Sequence, residues 1–73
     1  MTKHEETIES HVDSNVAVAI DQAHEYSGLE GAFHSFSQIT MASVLEDGYS
    51  GEEALDATGW FAKKFNEETG SQF

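Results

Sequence analysis

GAFHSFSQITMASVL, residues 31–45, contains no Asp, Glu, Lys or Arg, in a 73-residue chain that carries 14 acidic residues. Leu29, Phe33, Phe36, Thr40 and Val44 recur through this region at intervals of three and four residues, the period of an amphipathic helix. Ile39, Met41 and Leu45 lie off that stripe. A helix that is apolar on more than one side is buried on more than one side. The segment therefore predicts a central, largely uncharged helix. Either it is sandwiched between two others, or one side of it is open to another molecule. Phe36, Ile39 and Met41 are the candidate residues of such an oligomer interface.

Two similar junctions flank this stretch, Tyr26-Ser27-Gly28-Leu29-Glu30 and Tyr49-Ser50-Gly51-Glu52-Glu53. In each, Ser precedes Glu by three residues and a helical pattern follows. That spacing is a capping box, in which the Ser oxygen accepts from the Glu amide and the Glu carboxylate accepts from the Ser amide. Thr2 and Glu5 share it. Three helices are expected, over about 3–26, 28–47 and 51–68, with a short tail at 69–73. The first carries Ile8, Val12, Val16, Ala19, Ala23 and Tyr26 on one stripe. The third carries Ala54, Ala57, Phe61 and Phe65, interrupted by Gly59 at a cost of about 1 kcal/mol relative to Ala. The chain has no Pro to break these helices. The expectation is one all-α domain, 1–73, of three helices joined by short Gly-containing turns.

A domain of this length buries roughly 60% of its unfolded surface and is marginally stable. With no Cys it has neither disulfides nor thiolate metal sites. Lys and Arg together number 3 and the formal net charge is −11. Nucleic acids and anionic membranes are bound through Lys and Arg, so neither is expected as a direct partner. The opening MTKHEET is polar, unlike a signal peptide, and no apolar run reaches membrane-spanning length. The default location is the cytoplasm, for a viral or a host protein.

Two of the three lysines, Lys63 and Lys64, sit among Trp60, Phe61 and Phe65. Each precedes a Glu (Glu67, Glu68) by four residues, a spacing that allows a weak side-chain pair. Both also stand near a helix C-terminus, where the dipole favours cations. Phe61 and Phe65 share the core face, whereas Trp60 points about 100° away. Trp60, with an exposed aromatic such as Tyr49, is a candidate anchor for a partner.

Asp21 and His24, and Glu30 and His34, have spacings that place two metal ligands on one helix face. Chance matches are frequent in so acidic a chain, and no metal or cofactor is expected. No zincin, phosphate-loop or hydrolase-elbow pattern occurs. No catalytic residue is assigned, and an enzyme is not expected.

Glu5, Glu9 and Asp13 follow at four-residue intervals, as do Asp21 and Glu25, and Glu52 and Asp56. Like charges so placed repel by about 0.2–0.5 kcal/mol per pair, and interspersed Lys would have given solubility without that cost. Three functions fit such a surface. The first is a non-enzymatic interaction module, most simply an inhibitor, whose carboxylates occupy a basic surface of a partner protein or nucleic-acid-binding complex. Glu5, Glu9, Asp13, Glu52, Glu53 and Asp56 would supply the charge, with Tyr49 and Trp60 as anchors. Carboxylates about 5–6 Å apart are sparser than duplex phosphates yet suit a Lys- and Arg-lined groove. Small viral inhibitors of host-defence nucleases, anti-CRISPR proteins among them, share this size and charge, a likeness of composition and not of sequence. The second is a structural or regulatory protein that forms homodimers or larger oligomers through the central helix. The third is a salt-adapted acidic domain, which would gain stability as salt screens its repulsion.

Overall fold

The computed structural model describes residues 4–73. It is an all-α three-helix bundle: α1, Ile8–Asp21; α2, Leu29–Glu46; and α3, Gly51–Thr69. A 3-10 turn, Ala23–Tyr26, lies between α1 and α2. Each helix packs on the other two. Among the described residues no helix is long and apolar enough to cross a membrane.

The core follows the helical stripes. Val12, Val16 and Ala19 of α1 meet Ala32, Phe36, Thr40 and Val44 of α2, and Ala54, Ala57, Phe61 and Phe65 of α3. Thr40, the polar member of the set, donates its hydroxyl to the Phe36 carbonyl at 2.7 Å, so its buried donor is paired. Phe61 and Phe65 stack at 5.6 Å, and Phe33 packs at 5.9 and 5.6 Å from them. Phe73 returns to 5.4 Å from Phe33. It is tied there by the Asn66 side chain, which accepts from the Phe73 amide and donates to its carbonyl. The tail after α3 thus closes one end of the core.

Three sequence expectations change. Thr2, the expected cap of the first helix, lies outside the described residues. α1 instead begins at Ile8, where the Thr7 hydroxyl accepts from the Ser10 amide at 3.0 Å. Glu5 and Glu6 lie outside the helix because their amides are bound elsewhere, as described below. At the other end α1 stops at Asp21 and the chain tightens into the 3-10 turn.

The two similar junctions also part company. Ser50 is extended (φ −73°, ψ 163°) and forms both bonds of its capping box with Glu53, at 3.1 and 3.0 Å. Ser27 is left-handed (φ 69°), and α2 is capped by Gly28 with no side-chain bond. An N-cap oxygen reaches the helix amides from extended backbone, a conformation Ser27 does not have. The 3-10 turn folds back too closely for it: Gly31 passes against the Tyr26 carbonyl, where a side chain would collide.

The third change concerns α2, which packs on both other helices and is open on one side, but not at all the residues expected there. Phe36 is buried in the core and Met41 packs against it, so neither lies on an open face. Ile39 and Leu45 are exposed. A three-helix bundle gives each helix two neighbours on one side, which leaves its other side in solvent.

Gly59 is exposed on α3, with open space where a side chain would project. Gly59→Ala is therefore expected to stabilise the protein by about 0.5–1 kcal/mol. An upward shift of the denaturation midpoint is the check. A downward shift would mean that the backbone there is not regular helix.

Candidate functional site

The residues that precede α1 form a strap across the α2–α3 turn. Asp47, the C-cap of α2, holds it. Its carboxylate accepts from the Glu5 amide at 2.8 Å, the Glu6 amide at 3.0 Å and His11 Nε2 at 2.9 Å. Its main-chain carbonyl accepts from His4 Nδ1 at 2.7 Å. The His4 ring stacks on Tyr49, with centroids 3.7 Å apart and planes 8° from parallel. The Tyr49 hydroxyl donates to the Glu6 carbonyl at 2.7 Å. His11 is buried and its ring stands edge-on to Tyr49 at 6.4 Å.

These contacts shift two acids in opposite directions. The Glu5 amide above all, then the His11 side chain and the Glu6 amide, hold the Asp47 carboxyl down to about 2 from its ordinary 3.8. Partial burial, and then the neighbouring Asp47 and Glu53 charges, push the Tyr49 phenol up and keep its hydroxyl a donor. Because the folded Asp47 value lies below the unfolded one, its ionised form favours the fold. That contribution is complete above about pH 4 and is lost as pH falls through about 2. Thermal melts between pH 5 and 2 should therefore show a steeper acid loss for the wild type than for Asp47→Asn. Equal slopes would remove Asp47 from the acid transition.

Beside the strap lies an open cleft of about 560 Å³. Glu5 and Glu6 form one wall. His11, Ser14 and Asn15 of α1 form another, and Ser43, Glu46 and Asp47 at the end of α2 form the third. The lining is polar, with four carboxylates beside imidazole, hydroxyl and amide groups. It is suited to cationic, hydrogen-bonding groups.

Of the predicted partner-binding residues, the cleft contains Glu5 alone. Glu9 is exposed on α1, and Glu52, Glu53 and Asp56 are exposed on α3. Glu53 also accepts from the Ser50 amide, and that bond above all, then the Ser50 hydroxyl, holds its carboxyl below the ordinary value. Asp13 is no free charge. The Lys64 ammonium lies 2.8 Å from its Oδ1, a water-shielded oxygen that makes no well-angled hydrogen bond, so the contact is an ion pair. Asp13 in turn pushes the Lys64 pKa up. Lys64 thus joins α3 to α1, where the sequence suggested a pair with Glu68 on its own helix. Tyr49 is half-buried under His4 with its hydroxyl engaged, and does not serve as an exposed anchor. Trp60 is 43% exposed, one turn before Lys64 on the same flank.

His24 stands on the 3-10 turn beyond α1, so the helical register that would pair it with Asp21 does not continue. Its side chain is 80% exposed. Among the described residues no group of three or more His, Asp or Glu side chains is arranged to hold a metal ion.

The sequence did not reveal the Asp47, His4, His11 and Tyr49 constellation. Its hydrogen bonds span 36 to 43 residues, beyond any local pattern. One signal was present: Glu46 and Asp47 place two carboxylates at the C-terminal end of α2, where the helix dipole opposes them. No protein-family model, curated protein or solved structure matches this chain.

Proposed function

We propose that the protein is a non-enzymatic interaction module that occupies a basic surface of a partner protein, as an inhibitor of the nucleic-acid-mimic or anti-defence type. One observation carries this proposal: of the 14 carboxylates, all but Asp13 and Asp47 belong to exposed residues. The strap, α1 and α3 present most of them, and of the two lysines on α3 one, Lys64, is engaged by Asp13. Such a surface steers association with a basic partner and gives it a strong salt dependence. Glu5, Glu9, Glu52, Glu53 and Asp56 are the charges offered, and Trp60 is the apolar anchor.

The test is affinity capture from host lysate at low and moderate salt, read by mass spectrometry. The wild type is compared with a variant carrying Glu5→Lys, Glu9→Lys, Glu52→Lys and Asp56→Lys. Basic nucleic-acid-handling proteins should be captured at low salt, released at moderate salt, and absent from the variant. Equal recovery by the variant would refute the electrostatic mechanism. An unchanged affinity for Trp60→Ala would remove the anchor.

A second function, self-association through α2, is favoured by the exposed, uncharged stretch that holds Ile39 and Leu45. Sedimentation would then show an oligomer that Ile39→Lys dissociates.

A further inference from the structure

We propose that residues 4–6 are a latch, locked by Asp47, that sets whether the Glu5–Glu6 wall of the cleft is presented to a partner. The latch rests on the acidic interaction surface proposed above and supplies its regulation. The strap sequence, His4-Glu5-Glu6, ends at the Thr7 cap of α1 and holds no aliphatic side chain to anchor it in the core. Its main chain and the His4 ring are fastened by polar contacts and one ring stack that converge on Asp47 and Tyr49 of a single turn, and the Glu6 carboxylate adds contacts to the Ser10 hydroxyl at 3.0 Å and to His11 at 3.7 Å on α1. Two successive amides on one carboxylate, a ring on a ring and a hydroxyl on a carbonyl form and break together. Of these groups only the Tyr49 ring packs against the hydrophobic core of α1, α2 and α3. Such a segment opens as a local unit, at lower free energy than global unfolding.

Opening has defined consequences. Glu5 and Glu6 leave the cleft, and the space between the Ser14–Asn15 wall and the Ser43 wall becomes open on that side. His11 and Tyr49, covered by the strap, meet solvent. Asp47, with its two amide donors gone, becomes a further anionic group at the end of α2. The closed state presents a three-walled acidic cleft, and the open state a shallower acidic face.

The test is amide hydrogen exchange, read by NMR on the full chain. In the wild type the Glu5 and Glu6 amides should exchange at least about tenfold more slowly than in an unstructured peptide. Asp47→Ala should return them to peptide rates while Phe61 and Phe65 stay protected. Tyr49→Phe, which keeps the ring and removes the hydroxyl, should give a smaller loss at the same amides. Peptide-like rates in the wild type would overturn the latch without any variant. So would protection that survives Asp47→Ala. If Asp47→Ala also exposed the Phe61 and Phe65 amides, the strap would belong to the cooperative core and the latch would again fail. An octa-arginine peptide then serves as the probe. In the wild type it should shift Glu5, Glu6, Ser14 and Ser43 together. In Asp47→Ala, Glu5 and Glu6 should no longer follow the other two. An absence of shifts in both proteins would refute the acidic interaction surface and leave the exchange result to judge the latch.

Discussion

Gly31→Ala is expected to destabilise the protein strongly, although the same substitution within a regular helix normally stabilises. In an open helical position, Ala gains about 1 kcal/mol over Gly. At position 31 the new methyl group would fall on the Tyr26 carbonyl oxygen. It would also lie 2.7 Å from the carbonyl carbon and 3.3 Å from Ser27 Cβ. The principal obstacle is backbone, which has no rotamer to adopt. The 3-10 turn would have to move off α2, taking with it the Tyr26 ring, which packs edge-on to Phe36 at 5.2 Å. Overpacking of this kind costs about 1–3 kcal/mol, and loss of the Tyr26 contact adds to it. Domains of this size have a total stability of about 4–11 kcal/mol, so a large part of the folded population is at risk. Chemical denaturation of Gly31→Ala beside Gly59→Ala gives the check, since the chemistry is identical and only the surroundings differ. Midpoints that rise together would show that the turn does not approach α2 as closely as described.

Phe61→Ala should have the largest effect of any single truncation. Phe61 is fully buried on α3 and meets Phe65 and Phe33 in one aromatic cluster. Replacing a buried Phe with Ala costs about 3–5 kcal/mol, from lost transfer energy and from the cavity left behind. Against a total of about 4–11 kcal/mol this leaves a protein near its midpoint at room temperature. A much lower melting temperature and a weakened near-ultraviolet dichroism signal are expected, with Phe61→Leu intermediate. A loss below about 1 kcal/mol would mean that the cluster collapses onto the gap, in which case Phe33 or Phe73 has moved inward.

Both substitutions act on the bundle, but they differ in how far the sequence announces them. Phe61 belongs to the stripe Ala54, Ala57, Phe61 and Phe65, legible at once because a helix returns to the same face every three or four residues. Gly31 was invisible as a special position. Its constraint comes from a carbonyl five residues earlier, brought close only when the chain adopts a left-handed Ser27. The capping boxes teach the same lesson. Ser27 and Ser50 have the same local spelling, and one is a cap while the other is not. The spelling specifies which bonds are chemically available, whereas the backbone angles that the turn demands decide whether they form.

The candidate site was legible only as charge. The acidic row on α3, the scarcity of cations and the exposure of Trp60 follow from residue counts and helical spacing, whereas the row expected on the first helix does not form, because Glu5 lies before α1. That Asp13 is paired, that Tyr49 is occupied, and that Asp47 gathers the amides of Glu5 and Glu6 do not. A carboxylate binds whichever donors come within about 3 Å of it, and donors 41 and 42 residues away in the chain arrive there only through the packing of α1 on α2. By itself the sequence determined three amphipathic helices, their core faces and a strongly anionic surface, because these depend on periodicity and composition. The tertiary structure alone decided where α1 begins, which side of α2 stays open and how the strap is locked, because each depends on groups distant in sequence meeting at bonding distance.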